Sequence, residues 1–438
     1  MKKKTVFKSK RYTHLDIKKN HQKYKKLIES PEWIKSHGFY PFIHYIIKFN
    51  KYVYNKDTKT KEEKIKERDI FYSSHIDRFI YQYYGQITND YYNRIAIDKG
   101  INKVATAYRN TLPGKCNIHF AREALEFIVK YESAFIFIGD FTGFFDNLDH
   151  EYLKEKLKQI LKVDRLPHDH FSVLKNITNY TYIELEDIEK IKGKKSREMR
   201  RDLKYFNTQE LRQFKKEYLK KNENSYGIPQ GSSISSVYSN VYMIDFDKQM
   251  NDYVTSRKGL YRRYCDDLII VIPMKEIDIN KDIHIHHIEM IDKVKGTIPR
   301  LNLNMDKTEH FFYNKNSDRK LVNLNSNKDV INYLGFSFDG QVVKIRDKTL
   351  FKYYSRAYKK VKVVKKYKDE KEGNAVKKSL YRLYTHLGDK KSNKGYGNFI
   401  TYARKSEKVF QESNYLENRI NDQTKRHWQK IHKRLQDE

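Results

Sequence analysis

Cysteine is nearly missing: Cys116 and Cys265 are the 2 cysteines in 438 residues. Two thiols build neither a disulfide framework nor a cysteine-rich zinc site. With 7 prolines, the chain holds no proline-rich linker. Long hydrophobic runs are lacking too; none nears the ~20 residues that a spanning helix needs. The start, Met1 to Lys8, is basic without an apolar stretch, so it is not expected to be a secretory signal. Negative charge is short: 56 Asp and Glu stand against 89 Lys and Arg, a formal +33. That excess predicts a polyanionic partner, and without a membrane anchor nucleic acid leads over an anionic bilayer. A soluble, cytoplasmic protein is expected.

Aromatic residues fill part of the gap. The 36 tyrosines and 24 phenylalanines are too many for a disordered chain. At about 150 residues per domain, the length predicts two or three subdomains. Residues 1–66 read as a basic, mostly helical extension, with Pro31 placed to open a helix after Ser30. Residues 70–132 are rich in tyrosine and basic residues. Ala134 to Ile138 is a continuous apolar run, as in a strand buried on both faces, and it closes on Gly139-Asp140.

Residues 148–165 read as an amphipathic helix. Residues 190–221 read as a charged helical pair with Leu203, Phe206, Leu211 and Phe214 at helical spacing, either solvated or facing nucleic acid. Gly227 to Gly231 is a loop before an apolar helix running through Met243 and Phe246. Residues 259–273 read as a hairpin around Asp266-Asp267, and residues 284–296 as a helix. His284, His286 and His287 then belong to that helix rather than to a metal. Residues 341–438 form a basic tail, with 27 Lys and Arg against 11 Asp and Glu. Its Tyr353, Tyr354, Tyr358 and the lysines of 359–368 make a basic aromatic helix, suited to phosphate and base contact or to a plain basic surface.

Two segments place acids at the ends of apolar strands: Asp140, and the adjacent Asp266 and Asp267. An isolated Asp-Asp is ordinarily a surface turn. Against apolar strands, however, adjacent carboxylates are costly unless a cation neutralises them. Few hard oxygen ligands suit magnesium, which keeps water and substrate phosphates as its other ligands. Asp146 and Asp149 follow the first strand and are expected to cap or pair locally.

These segments resemble the motifs of prokaryotic reverse transcriptases. Residues 134–150, with Asp140-Phe141-Thr142-Gly143-Phe144-Phe145-Asp146, look like motif A. Residues 227–240, opening Gly227-Ile228-Pro229-Gln230-Gly231-Ser232-Ser233, look like motif B. Residues 261–272, with Tyr264-Cys265-Asp266-Asp267, look like motif C. Residues 301–309, with Asp306-Lys307-Thr308, resemble motif D, and Tyr333-Leu334-Gly335-Phe336 resembles motif E. Five motifs in order over about 200 residues are far more specific than any one of them.

The resemblance implies an α+β fold, a right-hand polymerase. Its fingers and palm, an RNA-recognition-like antiparallel sheet plus helices, would span residues 67–340. A small α-helical, basic thumb would span 341–438. It implies an RNA-directed DNA polymerase using two Mg2+ ions, with Mn2+ able to substitute. Asp140, Asp266 and Asp267 would be metal ligands together with the Phe141 carbonyl. Phe145, five residues after Asp140, would be the steric gate against a 2′-hydroxyl. Gln230 and Gly231 would border the incoming nucleotide, and Lys307 would be the acid for pyrophosphate. Lys103 and Arg109 are expected to bind the triphosphate, with Lys115 as a rival. Tyr333, Leu334, Gly335 and Phe336 would brace the primer.

Two cysteines exclude the cysteine-bearing endonuclease of many group II intron proteins. The Val-Thr-Gly of retron enzymes and an acidic ribonuclease H cluster are not found. The sequence most resembles the stand-alone enzymes of antiviral defence, the abortive-infection and "unknown group" types. Expected partners are a structured noncoding RNA, the DNA product and deoxynucleoside triphosphates, with a second copy or a companion defence protein as further candidates. Template-independent or protein-primed synthesis, and a retron or group II intron-like enzyme, are the alternatives. An RNA-dependent RNA polymerase is disfavoured by Phe145, and a non-catalytic RNA-binding protein by the retention of all three carboxylates.

Overall fold

The structure is a computed structural model that describes residue 7 and residues 9–55, 60–274, 283–367, 370–388 and 397–436. The leader expectation for Met1 to Lys8 rests almost wholly on residues outside these, and so does Lys368 at the end of the basic aromatic run.

Residues 1–66 are not mostly helical. After α1 (His21–Ile28) and α2 (Pro31–Ser36), the chain enters a long antiparallel hairpin, β1 (Phe42–Asn55) and β2 (Thr60–Tyr72), paired from Ile43↔Tyr72 to Asn55↔Thr60. The expected boundary at residue 66 therefore falls inside β2. Pro31 does open α2, with the Ser30 hydroxyl accepting from the Trp33 amide.

Next come α3 (His75–Asp98), α4 (Asn117–Val129), β3 (Ser133–Asp140), α5 (His150–Leu161) and α6 (His168–Thr178). The Asp149 carboxylate caps α5 by accepting from the Tyr152 amide at 2.9 Å, the local role expected of it. Then follow β4 (Thr181–Glu184), α7 (Leu185–Lys192), α8 (Thr208–Tyr218) and β5 (Lys220–Lys221). Here the expected helical pair is interrupted. Phe206 and Phe214 are buried, but Leu203 lies outside any helix and is 74% exposed.

The motif B loop leads into α9 (Ser233–Tyr242), which breaks at Met243 before α10 (Ile244–Thr255). The palm continues with β6 (Leu260–Tyr264), β7 (Asp267–Met274), α11 (Ile283–Lys295), β8 (Glu309–Asn314) and β9 (Leu321–Asn323). Finally come β10 (Ile331–Tyr333), β11 (Phe336–Phe338), β12 (Val342–Ile345), α12 (Asp347–Lys366), α13 (Glu370–Tyr384), α14 (Phe399–Gln411), β13 (Glu417–Asn418), α15 (Ile420–Thr424) and α16 (His427–Gln436).

The palm sheet runs β6-β7-β3-β8-β9, with every neighbouring pair antiparallel. β3 is central and buried along its whole length. Its side chains alternate between faces. Phe135 and Phe137 pack into the large core shared with α3, α5, α9 and α10, while Ala134, Ile136 and Ile138 pack into a second core with α4, β10–β12 and α14. Covering both faces makes the strand a continuous apolar run.

The fingers sheet has the order β2-β1-β4-β5. A third sheet, β10-β11-β12-β13, includes strands from beyond residue 340, because β12 pairs in parallel with β13 at Val342↔Glu417. The tail is therefore not a purely helical appendage: it completes the motif E sheet. Among the described residues no helix is long and apolar enough to cross a membrane.

Candidate active site

The register of β3 against β7 sets Asp140 directly opposite Asp267. Asp266 lies in the β6–β7 turn beside them, where Cys265 takes a left-handed φ of 63°. The three acids of motifs A and C thus meet at adjoining strand ends. Asp266 is hydrogen-bonded to Asp140. Two carboxylates in contact need a proton between them, or a cation in its place. Burial and the Asp140 charge push the Asp266 carboxyl up. Asp267, although its residue is open to solvent on one side, is pushed up to about 7 by the protein packed around it and then by the charges of Asp266 and Asp140, while Lys307 and Arg346 pull it down.

Motif D is stitched to motif A. The Asn304 amide donates to the Asp140 carbonyl (2.7 Å), and the Thr142 amide donates to the Asn302 carbonyl (2.9 Å). This brings the Lys307 ammonium into an ion pair with Asp140. The Phe141 ring is buried, and its backbone bridges to Leu303 next to Asp140.

Phe145 opens a 3-10 turn, half-buried and edge-on to Phe144 at 5.5 Å. Its carbonyl accepts from the Ile228 amide (2.9 Å), and the Leu148 carbonyl accepts from the Gly227 amide (2.9 Å). Motifs A and B are thereby held together. The Gln230 carbonyl accepts from the Phe71 amide at 2.9 Å. Gly231 follows with φ +120°, and a Cβ there would stand 2.5 Å from the Phe71 carbonyl oxygen. A side chain at 231 would push motif B off the end of β2.

Arg109 departs from expectation. Its Nε donates to Asn93, Nη1 to the carbonyls of Asn102 and Ala105 (both 3.2 Å), and Nη2 to Asn102 Oδ1 (2.6 Å) and Thr111 Oγ1 (3.3 Å). The guanidinium also lies over the Tyr92 ring. All five N–H donors are committed inside the fold, so Arg109 fastens a loop and has no donor left for a triphosphate. Lys103 and Lys115 are both exposed.

Motif E is a tight β10–β11 hairpin with Leu334 (φ 46°) and Gly335 (φ 94°) at its tip. Two consecutive positive φ angles define a primed turn, and glycine accepts one of them without strain. Asn117 donates to the Leu334 carbonyl (2.9 Å), and the Arg346 amide donates to the Gly335 carbonyl (3.0 Å). The Tyr333 and Phe336 side chains point into the core. Only the tip is available to a primer, which corrects the expectation for those two rings.

Sequence reasoning missed the support beneath the catalytic turn. Arg263, fully buried, is bidentate to Asp247 (2.9 and 2.6 Å) and donates to Asn240 (3.2 Å) and the Cys265 carbonyl (2.9 Å). Tyr261 donates to the same Asp247 at 2.8 Å. An arginine inside a strand just before an acidic turn was the available signal.

Among the described residues no three His, Cys, Asp or Glu side chains form a ready-made metal cage. What the site offers is the touching carboxylates of Asp140 and Asp266, with Asp267 beside them and a proton and Lys307 as counter-charge. That donor set fits a hard divalent ion that takes few protein ligands.

An antiparallel palm sheet with carboxylates at the ends of its central strands, faced by a fingers hairpin and a C-terminal helical region, is the architecture of a right-hand nucleic-acid polymerase. The sequence matches the family described as reverse transcriptase (RNA-dependent DNA polymerase) over residues 92–338, and the chain belongs to that family. Reverse transcriptase domains generally use divalent metal ions. No curated protein sequence matches the chain.

Among solved structures, apo telomerase from Candida tropicalis aligns at 13% identity and TM-score 0.44, covering 99% of this chain and 67% of that one. Its C-terminally truncated form gives 12% identity, TM-score 0.40, and 77% and 63% coverage. Telomerase from Candida albicans bound to a fragment of telomeric RNA gives 13%, 0.39, and 94% and 65%. The chain spans about two thirds or less of these proteins' lengths.

Proposed function

We propose that the protein is an RNA-directed DNA polymerase that adds deoxynucleotides to a 3′-hydroxyl with two Mg2+ ions, Mn2+ being able to substitute. The supporting observation is the in-register pair Asp140 and Asp267 with Asp266 in contact, a cluster that is unstable as three free anions. Asp140 and Asp266, aided by Asp267 and the Phe141 carbonyl, would hold the metals, which would supply activation of the attacking hydroxyl and charge stabilisation of the leaving pyrophosphate. The new bond joins the 3′-oxygen to the α-phosphorus as the α–β bridge breaks, and the hydroxyl's proton passes to water. Lys307, already at Asp140, gives the pyrophosphate its proton. Phe145 bars the 2′-hydroxyl, Gln230 and Gly231 border the nucleotide, and Lys103 or Lys115 meets the triphosphate.

The biological role we propose is antiphage defence in the bacterial cytoplasm, with a structured noncoding RNA as template. The net +33 charge supports an RNA partner larger than a short primer–template. The activity is tested by primer extension on RNA with deoxynucleotides and Mg2+. The role is tested by phage plating with and without the gene and by sequencing co-purified RNA. Absence of extension on any primed RNA rejects the activity; unchanged plating rejects the role.

A further inference from the structure

A cavity of about 990 Å3 opens beside the catalytic turn, on the fingers side of α9, between α1, α3 and the loop at residues 108–110. Its chemistry is unlike that of a chain so rich in lysine. The walls carry the amides of Gln82 and Asn110, the hydroxyls of Ser233 and Ser236 and the rings of Tyr83 and Tyr108; Lys25 is offset by Glu29 and Asp90. A phosphate site would need excess positive charge. Amides and hydroxyls beside aromatic faces instead match the edges and faces of a base.

One feature of the cavity wall is characteristic of a ligand site. Tyr108 is held at φ 61° while its side chain stays 48% exposed. That strain is fixed from several sides. Asn89 donates to the Tyr108 carbonyl at 2.7 Å, Asn240 donates to the Ala107 carbonyl at 3.0 Å, and Arg109 is locked by all its donors. A bulky residue persists in the left-handed region only where its surroundings over-determine it, and such residues cluster at ligand sites. The Tyr108 hydroxyl lies beside Cys265, which brings the cavity wall next to the turn that carries Asp266.

We propose that this cavity is a pocket for an unpaired RNA nucleobase, which stacks on Tyr108 and hydrogen-bonds to the amides and hydroxyls of the wall. The proposal rests on the reading of RNA as this polymerase's substrate. The base arrives on an RNA strand, where stacking and the chain's basic surface act together; a free nucleotide would offer the same base without that second attachment.

The test uses the full-length protein and a single-stranded RNA carrying one 2-aminopurine, with anisotropy reporting binding and fluorescence quenching reporting stacking. Quenching is expected on binding by the wild type and by Tyr108→Phe. It should be lost in Tyr108→Ala, and in Ser236→Trp, which fills the cavity from the surface of α9. RNA that binds without quenching, or with quenching unchanged in both Tyr108→Ala and Ser236→Trp, overturns the pocket and leaves the polymerase reading standing. Absence of any RNA binding overturns both. Equal quenching of free 2-aminopurine riboside monophosphate, at the same concentration, overturns the RNA-strand assignment in favour of a nucleotide.

Discussion

Asp267 carries a proton up to about pH 7, far above the ordinary carboxyl value of 3.8. The sign of its effect follows. Between those values the folded protein binds a proton that the unfolded chain has released, so in metal-free protein this group's contribution to stability falls as pH rises through that window. A metal must displace the same proton, so metal affinity should rise with pH by up to about tenfold per unit below 7 and then level off. The increase in melting temperature with Mg2+ should accordingly be larger at pH 8 than at pH 6, and Asp267→Asn should flatten the difference.

Phe145→Val should lower discrimination against ribonucleotides by about tenfold or more, because it removes the ring proposed to exclude the 2′-hydroxyl. Competition between ribo- and deoxynucleotides in single-nucleotide extension measures this; unchanged discrimination would assign Phe145 to packing alone. Asp140, Asp266 and Asp267 were legible as a cluster because an acid that ends a buried apolar run is costly unless a cation or a proton meets it. The role of Arg109 was not, since an arginine that binds phosphate and one that ties five groups of its own loop look alike until the loop is folded.

At the scale of elements, β3 and the β6–β7 hairpin were readable from apolar continuity and an acidic turn. The β1–β2 hairpin was readable in principle, with Ile43, Tyr45, Ile47 and Phe49 on alternate positions. Ile46, an apolar residue at an intervening position, blurs that alternation, and Ile46 and Ile65 are both exposed. The parallel β12–β13 pair was beyond local reading, because its partners lie 75 residues apart at Val342 and Glu417. Arg263 makes the hairpin depend on a buried ion pair. Arg263→Met leaves the Asp247 charge buried without its partner, and should destabilise the fold by about 3–5 kcal/mol. The double variant Arg263→Met with Asp247→Leu should recover much of that loss in chemical denaturation. A milder single than double variant would show that the pair does not act as a unit.

At the scale of the molecule, the tail and the palm are one structure. α14 packs against α4, and Arg122 donates to the Val409 carbonyl at 2.8 Å. Truncation after Gly340 would strip strands from the motif E sheet and so cannot separate RNA capture from chemistry. Charge substitution on the exposed face of α12, at Lys359, Lys362 and Lys366, is the cleaner probe. RNA affinity should fall about 10³–10⁵-fold between about 50 and 200 mM salt if roughly 6–10 phosphates are neutralised. The triple variant should show a shallower salt slope, by about one unit for each phosphate that is no longer neutralised.

The central claim is that the acids at the ends of β3 and the β6–β7 hairpin hold the metals for deoxynucleotide transfer on RNA. Its most direct test is Mg2+-dependent incorporation of deoxynucleotides on a primed RNA by the wild type and by the double variant Asp266→Asn, Asp267→Asn. Circular dichroism and RNA binding serve as controls for folding. The account predicts incorporation by the wild type and a loss to background in a variant that still folds and binds RNA. Substantial incorporation by that folded variant would contradict it.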